Sequence, residues 1–508
     1  MDEKKSRYFS FACVGAIFIL CATLGYFCVW THDDYLTVFA DPLTILKGCL
    51  EFGNGRYLGN FIVNIALQVK IADAIIRGAF MTAIIALSAG LTGAFNARGL
   101  AVSTALFAGI GNLIFAEAIV WGHGFYNFVP PVAIILLCLC LLRKEYIDSA
   151  LKYKKTAAVI LAVLGFCGQL FSENTTCIAL VISIAVFIFV LIKKKPKALA
   201  LVYMISSAAG TFIMFALPAM TGVDHVLDDY RGVGVGAETL DGFISQFSGN
   251  LIRSLEALSV AFLCWGFLSF ALFRLMKKTG PATGARRVGR IALKLVLAAY
   301  PLISLFYFFA NSRSWRKRIP FTNIKLDDPA LVLKYAVCAA FAVYLVCVLT
   351  VLLLHRKNFA GSGAAYWLIL LIAAMSVGEL LIITVMGPRC LFLTACILNV
   401  FVLVFLFGEG FADRRFCAVS ALLAAAGMVA LTVLLHSVWS VNNARVAYAE
   451  EQLAEGKEII EIIRLPHGRW LHVPDQSAGY GYYFNYGEVK PIEDYTYITY
   501  EEYPGKNK

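Results

Sequence analysis

The chain has 508 residues, of which 60% are hydrophobic and only 15% charged. A soluble domain carries about a quarter charged residues and under half apolar ones. That difference, with a mean hydropathy of +0.75, excludes a disordered chain, a collagen-like chain and nearly every soluble enzyme. It leaves a polytopic membrane protein. The net charge of +11 would suit a nucleic-acid partner in a soluble protein. Here it is read as Lys and Arg kept in short cytoplasmic loops, with no nucleic-acid partner. The 14 cysteines lie mostly inside apolar runs, as in Cys138-Leu-Cys140, with no CxxC pair. They read as small apolar fillers, not as disulfides or metal ligands.

A span needs about 20 residues to cross about 30 Å of hydrocarbon. Apolar runs near that length fall at 9–30, 74–95, 100–120, 128–142, 157–171, 176–192, 198–217, 251–274, 291–310, 335–354, 364–386, 390–408 and 416–440. The expected fold is therefore an all-α integral membrane protein of about 13 transmembrane helices. The first run follows Lys4, Lys5 and Arg7 as a signal peptide would, but it is too long for one and reads as a retained span. The runs 128–142, 157–171 and 176–192 are short and are expected to border a water-filled cavity. Basic residues set the orientation. Arg143, Lys144, Lys152, Lys154, Lys155, Lys193 to Lys195, Lys197, Lys277, Lys278, Arg286, Arg287, Arg290, Arg356, Lys357, Arg414 and Arg415 belong inside if the N-terminus is cytoplasmic. That places 31–73, 218–250, 311–334 and the tail outside a bacterial cytoplasmic membrane. Two domains follow: residues 1–440 as the membrane domain, with a first outer loop at 31–73, and 441–508 as a small extracytoplasmic α+β segment. In that segment Asn443 to Lys457 reads as a helix, Glu458 to Leu465 as a strand, and Tyr480 to Tyr503 as aromatic strand or turn. Sixty-eight residues make a weak core alone, so the tail is expected to pack on the outer face of the bundle.

Five places hold residues suited to chemistry. Trp30-Thr-His32-Asp33-Asp34-Tyr35 follows the first span directly. Adjacent carboxylates at a membrane interface repel unless something positive answers them. On a helix they point about 100° apart, so one would accept a proton while the other orients a substrate or holds a metal ion. The plainer reading is a solvated loop with Asp ending helix 1. Gly53 to Asn60 marks a turn from which Arg56, beside Tyr57, would pair with Asp33 or Asp34 or fork a phosphate. Otherwise it is a turn with a snorkelling Arg. Glu173, in Ser172-Glu173-Asn174, should face a cavity or a partner, unless the stretch is a loop capping the next helix. From Glu117 to Pro131, the residues Trp121, His123, Tyr126 and Asn127 read either as an interfacial aromatic belt or, with Glu117, as the wall of a sugar site. Arg313, Arg316, Lys317 and Arg318, with Arg389 after Gly387-Pro388, put positive charge on the outer side. A lipid-borne phosphate or pyrophosphate would explain it, as would anionic headgroups or a miscounted span. Glu379, inside a span, is a sixth flag, with Arg389 as one conceivable partner.

At His32-Asp33-Asp34-Tyr35 the chain resembles the GT-C superfamily of integral-membrane glycosyltransferases that use lipid-linked sugars. Its signature is an acidic pair or related motif in the first outer loop. Gly55-Arg56-Tyr57, Trp121 to Tyr126 with Pro130-Pro131, and Ser172-Glu173-Asn174 look like features of uncharacterised bacterial members. The resemblance implies a polyprenyl-phosphate sugar donor reached through the membrane, a glycan or lipid acceptor in the cell envelope, and inversion at the anomeric carbon. It implies Asp33 or Asp34 as general base. Arg56, Arg313, Arg316 and Arg389 would answer the charge growing on the leaving phosphate. His32, Tyr35, Tyr57, Glu117, His123, Tyr126, Glu173 and Asn174 would line the substrate. Some members use a divalent cation, Mg or Mn, which Asp33 and Asp34 would hold here. No GxGxxG or P-loop is present, in keeping with a donor that is already lipid-linked. Two rivals stand beside this reading. A transporter or flippase suits Glu379 and the short spans, although no inverted repeat is visible. A polysaccharide polymerase or ligase suits the 313–318 cluster better than the acidic pair.

Overall fold

The computed structural model describes residues 3–31, 34, 41, 43, 47, 55–149, 151–220, 239–278, 284–310, 329–360, 363–383, 386–457, 459–472, 494–500 and 502–505, a few of these as backbone alone. In chain order the long elements are α1 (Glu3–Phe27), α2 (Tyr57–Gln68), α3 (Lys70–Leu91), α4 (Ala97–Ala108) and α5 (Asn112–Phe115), which continues as one π turn, Ala116–Val120. Then come α6 (Gly122–Tyr146), α7 (Lys154–Cys167), α8 (Glu173–Ile192), α9 (Ala198–Met220), α10 (Leu240–Ser259) and α11 (Phe262–Lys278). The series ends with α12 (Ala285–Ala310), α13 (Pro329–Leu354), α14 (Gly363–Gly378), α15 (Phe392–Gly408) and α16 (Arg414–Ala454). Among the described residues, 10 helices are long and apolar enough to cross a membrane, or up to 12 if each of two bent pairs counts as one span. The described residues are thus those of a predominantly α-helical, multi-pass membrane protein.

The thirteen apolar runs sort into these classes for physical reasons. The run 100–120 turns through 85° between α4 and α5, and 251–274 turns through 75° between α10 and α11. The run 157–171 corresponds to α7, whose 14 residues reach about 21 Å, less than the hydrocarbon thickness. The other two short runs are full-length helices. Each is lengthened by a polar or aromatic first turn that a hydropathy window discounts: Gly122 to Tyr126 in α6 and Glu173 to Thr175 in α8. These two also differ in position. In α6, 72% of the apolar window is buried in protein, and in Pro388–Gly408 78% is, against 22% for α1. The two buried helices form the centre, and the apolar outer faces of α1, α12 and α16 are left for lipid.

The bends are held by side chains. At the α10–α11 break, Trp265 Nε1 donates to Leu258 O at 2.8 Å, and Tyr300 and Ser304 hydroxyls both donate to Ser259 O. Glu256 nearby pairs with Lys334 at 2.6 Å and accepts from the Tyr307 hydroxyl at 2.8 Å. Within α6, Pro130 and Pro131 remove the N–H groups that would have met the carbonyls of Tyr126 and Asn127.

One end of the bundle is basic. Arg143 donates to Leu91 O and pairs with Asp148, while Lys154 pairs with Glu145. Lys278 meets Glu409, which also accepts from Ala360 N and the Tyr366 hydroxyl. The opposite end, where α1 finishes, is organised by one face of α3. Its Lys70 amine donates to Cys28 O beyond the end of α1. Asp73 and Arg77, one helical turn on, form an ion pair at 2.7 Å with both side chains about 2% exposed. Arg77 also donates to Ile119 O at 2.5 Å and Val120 O at 3.2 Å, and its guanidinium lies 4.8 Å from the Phe125 ring centre. The Tyr126 hydroxyl donates to Asp73 at 2.7 Å. The start of α6 therefore rests on a buried ion pair.

The last helix carries 41 residues, about 60 Å at the α-helical rise, and so continues through residue 440 and out beyond the span. Strand β1 (Ile459–Ile463) returns along it and pairs in parallel with β2 (Asp494–Ile498).

Removing one partner of a buried pair strands the other charge, at about 3–5 kcal/mol. Arg77→Ala should therefore lower the melting temperature of the detergent-purified protein sharply or broaden its size-exclusion peak. Adding Asp73→Ala should recover part of the loss. A double variant no better than the single one would contradict this account.

Candidate functional site

Asp34 is fully buried. Its Oδ2 accepts from Thr31 N at 3.2 Å and Gly122 N at 3.0 Å, and its Oδ1 accepts from His123 N at 3.0 Å. The His123 Nδ1 lies 2.9 Å from the same Oδ1. The carboxylate thus caps the N-terminus of α6 from 88 residues away in sequence, satisfying amides that a helix start leaves orphaned and meeting the positive end of its dipole. The approach requires glycine at 122: a β-carbon there would sit 2.6 Å from Asp34 Oδ1. With its acceptor positions engaged by N–H groups, Asp34 is a positioning residue, and the group it orients is the His123 imidazole.

Next to this cap lies a second cluster. The Glu117 carboxylate, 2% exposed, meets Arg389 Nη1 at 3.1 Å and accepts from Arg389 N at 3.3 Å, both through Oε2. His472 Nδ1 lies 3.5 Å from Oε1. The Trp121 ring stacks on His472 with centres 4.2 Å apart, and the Arg389 guanidinium lies 4.9 Å from the Trp121 ring centre. Gly387 makes this contact possible, since a β-carbon there would lie 2.5 Å from Arg389 Nη1 and 2.6 Å from Glu117 Oε2.

A third pair closes the group. Arg56 forks Glu173, with Nε and Nη2 each 2.9 Å from Oε2. Its guanidinium lies 5.8 Å from the Phe128 ring centre on α6. Asn174 Nδ2 donates to Cys390 O at 2.9 Å, tying α8 to the residue after Arg389. Leu58 N donates to Leu170 O at 3.0 Å, which joins α2 to the turn before α8.

Asp34, Arg56, Glu117, His123, Glu173, Asn174 and Arg389, spread over more than 350 residues of sequence, thus meet at the end of the bundle where α1 finishes. Tyr126 faces the ion pair on α3 behind them, and Tyr57 opens α2 beside Arg56. His32, Asp33, Tyr35, Arg313 and Arg316 lie outside the described residues. Two pairings differ from those the sequence suggested. Arg56 turns to Glu173 and away from Asp34, whose lone pairs are taken by N–H groups. Arg389 turns to Glu117 and away from Glu379, whose Oε1 has no hydrogen-bond partner among the described residues. Asn174 reaches across to Cys390 O and does not cap α8.

Asp34 fits the role of metal ligand poorly because its oxygens already face N–H donors. No group of three or more His, Cys, Asp or Glu side chains able to hold a metal ion occurs among the described residues. Both guanidiniums instead sit beside a carboxylate and an aromatic face. A guanidinium has five N–H donors in a planar fork, so an arriving phosphate oxygen can share each with its acid partner. Sequence reasoning missed Asp73, Arg77 and His472. Opposite charges four residues apart, at and just inside the start of the run 74–95, are a usable signal for the first two, since charge inside a span is costly unless answered.

Asp34→Asn keeps the shape but replaces one acceptor oxygen with an amide that faces other donors. The expected cost is about 1–3 kcal/mol, read as a lower melting temperature, and Gly122→Ala should lower it as well by pushing the carboxylate away. Unchanged melting in both variants would remove Asp34 as the cap of α6. No protein-family model matches the chain, and no curated protein and no solved structure matches it either.

Proposed function

We propose that the chain is a membrane glycosyltransferase that moves a sugar from a polyprenyl-phosphate donor to a glycan or lipid acceptor of the cell envelope. The supporting observation is the convergence of Asp34, Arg56, Glu117, His123, Glu173, Asn174 and Arg389 at one end of an otherwise apolar bundle. Polar groups in such a medium are costly, and gathering them in one place suits a polar headgroup entering from the bilayer. The end opposite the basic loops is assigned to the outer face of a bacterial cytoplasmic membrane, with the N-terminus inside and the C-terminus outside.

The acidic pair divides its work. Asp34 holds α6 and His123 in place, so the proton acceptor is assigned to Asp33. Asp33 takes the proton of an acceptor hydroxyl. The hydroxyl oxygen then bonds to the anomeric carbon from the face opposite the lipid phosphate. The old bond from anomeric carbon to phosphate oxygen breaks, and both its electrons leave on the phosphate. Arg56 and Arg389 answer that charge, with Arg313 and Arg316 as further candidates from the outer loop. His123 and Tyr57 are assigned to the sugar side, with His32 and Tyr35 from the first loop, while Tyr126, fully buried with its hydroxyl on Asp73, supports the start of α6 instead.

Purified protein given labelled polyprenyl-phosphate hexoses and envelope acceptor should form a covalent product. Asp33→Asn should lower turnover by about 100-fold or more without changing the melting temperature. Full activity in that variant removes the base assignment. Thiols introduced at residue 33 of a cysteine-free variant should react with an impermeant maleimide from outside intact cells, and reaction only after lysis contradicts the orientation.

A flippase is the second reading. It is favoured by the two bent helix pairs and by the Glu379 oxygen that lacks a hydrogen-bond partner among the described residues. Headgroup translocation in proteoliposomes without any covalent product would decide for it. Loss of function on Arg313 or Arg316 substitution, with Asp33→Asn tolerated, would favour a polymerase or ligase.

A further inference from the structure

The segment after β1 does not stay outside the bundle. Gln452 on α16 clamps the returning strand with both ends of its amide: Nε2 donates to Glu461 O at 2.9 Å, and Oε1 accepts from Glu461 N at 2.9 Å. The Tyr448 hydroxyl donates to Glu461 Oε2 at 2.5 Å. The chain then enters the main core, where Leu465, Trp470 and Leu471 are buried. Trp470 packs edge-on against Phe115 of α5 and Phe308 of α12, and Arg469 donates to Phe309 O at 2.5 Å. This anchoring delivers His472 to the Glu117 carboxylate and the Trp121 ring.

A passive cover over α5 would need only apolar contacts such as those of Trp470. Placing an imidazole against a buried carboxylate adds a desolvation cost that packing alone does not require. Glu117 presents one oxygen to His472 and the other to Arg389. A guanidinium has five N–H donors and an imidazole a second ring nitrogen, so both side chains can reach the oxygens of one phosphate while Glu117 still holds them.

We infer that His472 is a binding residue for the phosphate group of the lipid-borne donor, so the site is completed by the C-terminal segment. The inference rests on the glycosyltransferase reading and adds a specific ligand group to it. Arg389 and His472 would share the phosphate, with Glu117 holding the two donors at their spacing and Trp121 flooring both. Trp470 sets the depth of the segment and touches no ligand.

The test uses the full chain in lipid nanodiscs with three probes: polyprenyl phosphate, the polyprenol of equal length, and inorganic phosphate. Variants are His472→Gln, which removes the imidazole, and His472→Lys, which places a cation there. The expected result is weaker binding of polyprenyl phosphate to His472→Gln by about tenfold, the value of one charge-assisted hydrogen bond. Polyprenol binding and melting temperature should stay unchanged, and His472→Lys should restore most of the affinity. Competition by inorganic phosphate with the same dependence on residue 472 supports phosphate as the recognised group. Absence of such competition, with the lipid result intact, assigns the source to the lipid headgroup. Equal affinity for polyprenyl phosphate in wild type and His472→Gln overturns the inference and leaves the enzyme reading standing. An equal loss for polyprenol also overturns it, since the segment would then only wall the lipid chain. A lowered melting temperature in His472→Gln that His472→Lys does not reverse makes the residue structural. A wild type that does not prefer polyprenyl phosphate over polyprenol overturns the enzyme reading and the inference together.

Discussion

The carboxylate of Asp34 joins the end of the first span to the start of the central helix. In a water-poor interior, helix amides without partners are expensive, and α6 begins among side chains instead of in water. Asp34 supplies the missing acceptor for the amides of Gly122 and His123. It thereby fixes the one imidazole that the start of α6 carries. The ion pair of Asp73 and Arg77 supports the same turn from below through Ile119 O and the Tyr126 hydroxyl. If that turn shifted, Trp121 would move, and with it the platform under Arg389 and His472. The contacts around His123, Glu117 and Trp121 therefore refer back to how α6 is seated.

Buried charge by itself does not distinguish this site. Glu256 with Lys334 and Tyr307 staples α10 to α12 and α13, and Glu409 with Lys278 and Ala360 N staples α11 and the turn before α14 at the basic end. Each is a closed set that joins helices where they cross. The cluster around Glu117 differs because separate sets adjoin there, contributed by the end of the first span, α2, α5, α6, α8, the turn before α15, and the C-terminal segment. Neutralising each guanidinium with its own carboxylate allows strong cations to exist in an apolar setting without an uncompensated charge. That arrangement leaves cations in place that a further anion can share.

The sequence revealed the architecture class because apolar run length is set by bilayer thickness and survives any detail of packing. It revealed where polar residues would matter because charge near the membrane needs a reason. It did not reveal partners. Glu117 and Arg389 are 272 residues apart, and nothing local in either stretch points to the other, while the nearer Glu379 offered a tempting match. The bends at 109–111 and 260–261 escaped because a hydropathy average has no sense of direction. His472 escaped because the tail changes composition at 441 and looks like a separate unit, although the helix beneath it runs on to Ala454. Arg77 was hidden by the apolar neighbours that make its span recognisable.

Pro130 and Pro131 have a mechanical meaning. Without N–H groups at those positions, the hydrogen-bond ladder of α6 is interrupted two turns from its start. The opening turns, with His123 and Tyr126, are thereby less tightly coupled to strain in the longer half of the rod that runs toward the basic end. Their alignment answers to the carboxylates of Asp34 and Asp73, which belong to other parts of the chain. Those turns are thus seated like a keystone, held by their neighbours as much as by the column beneath them.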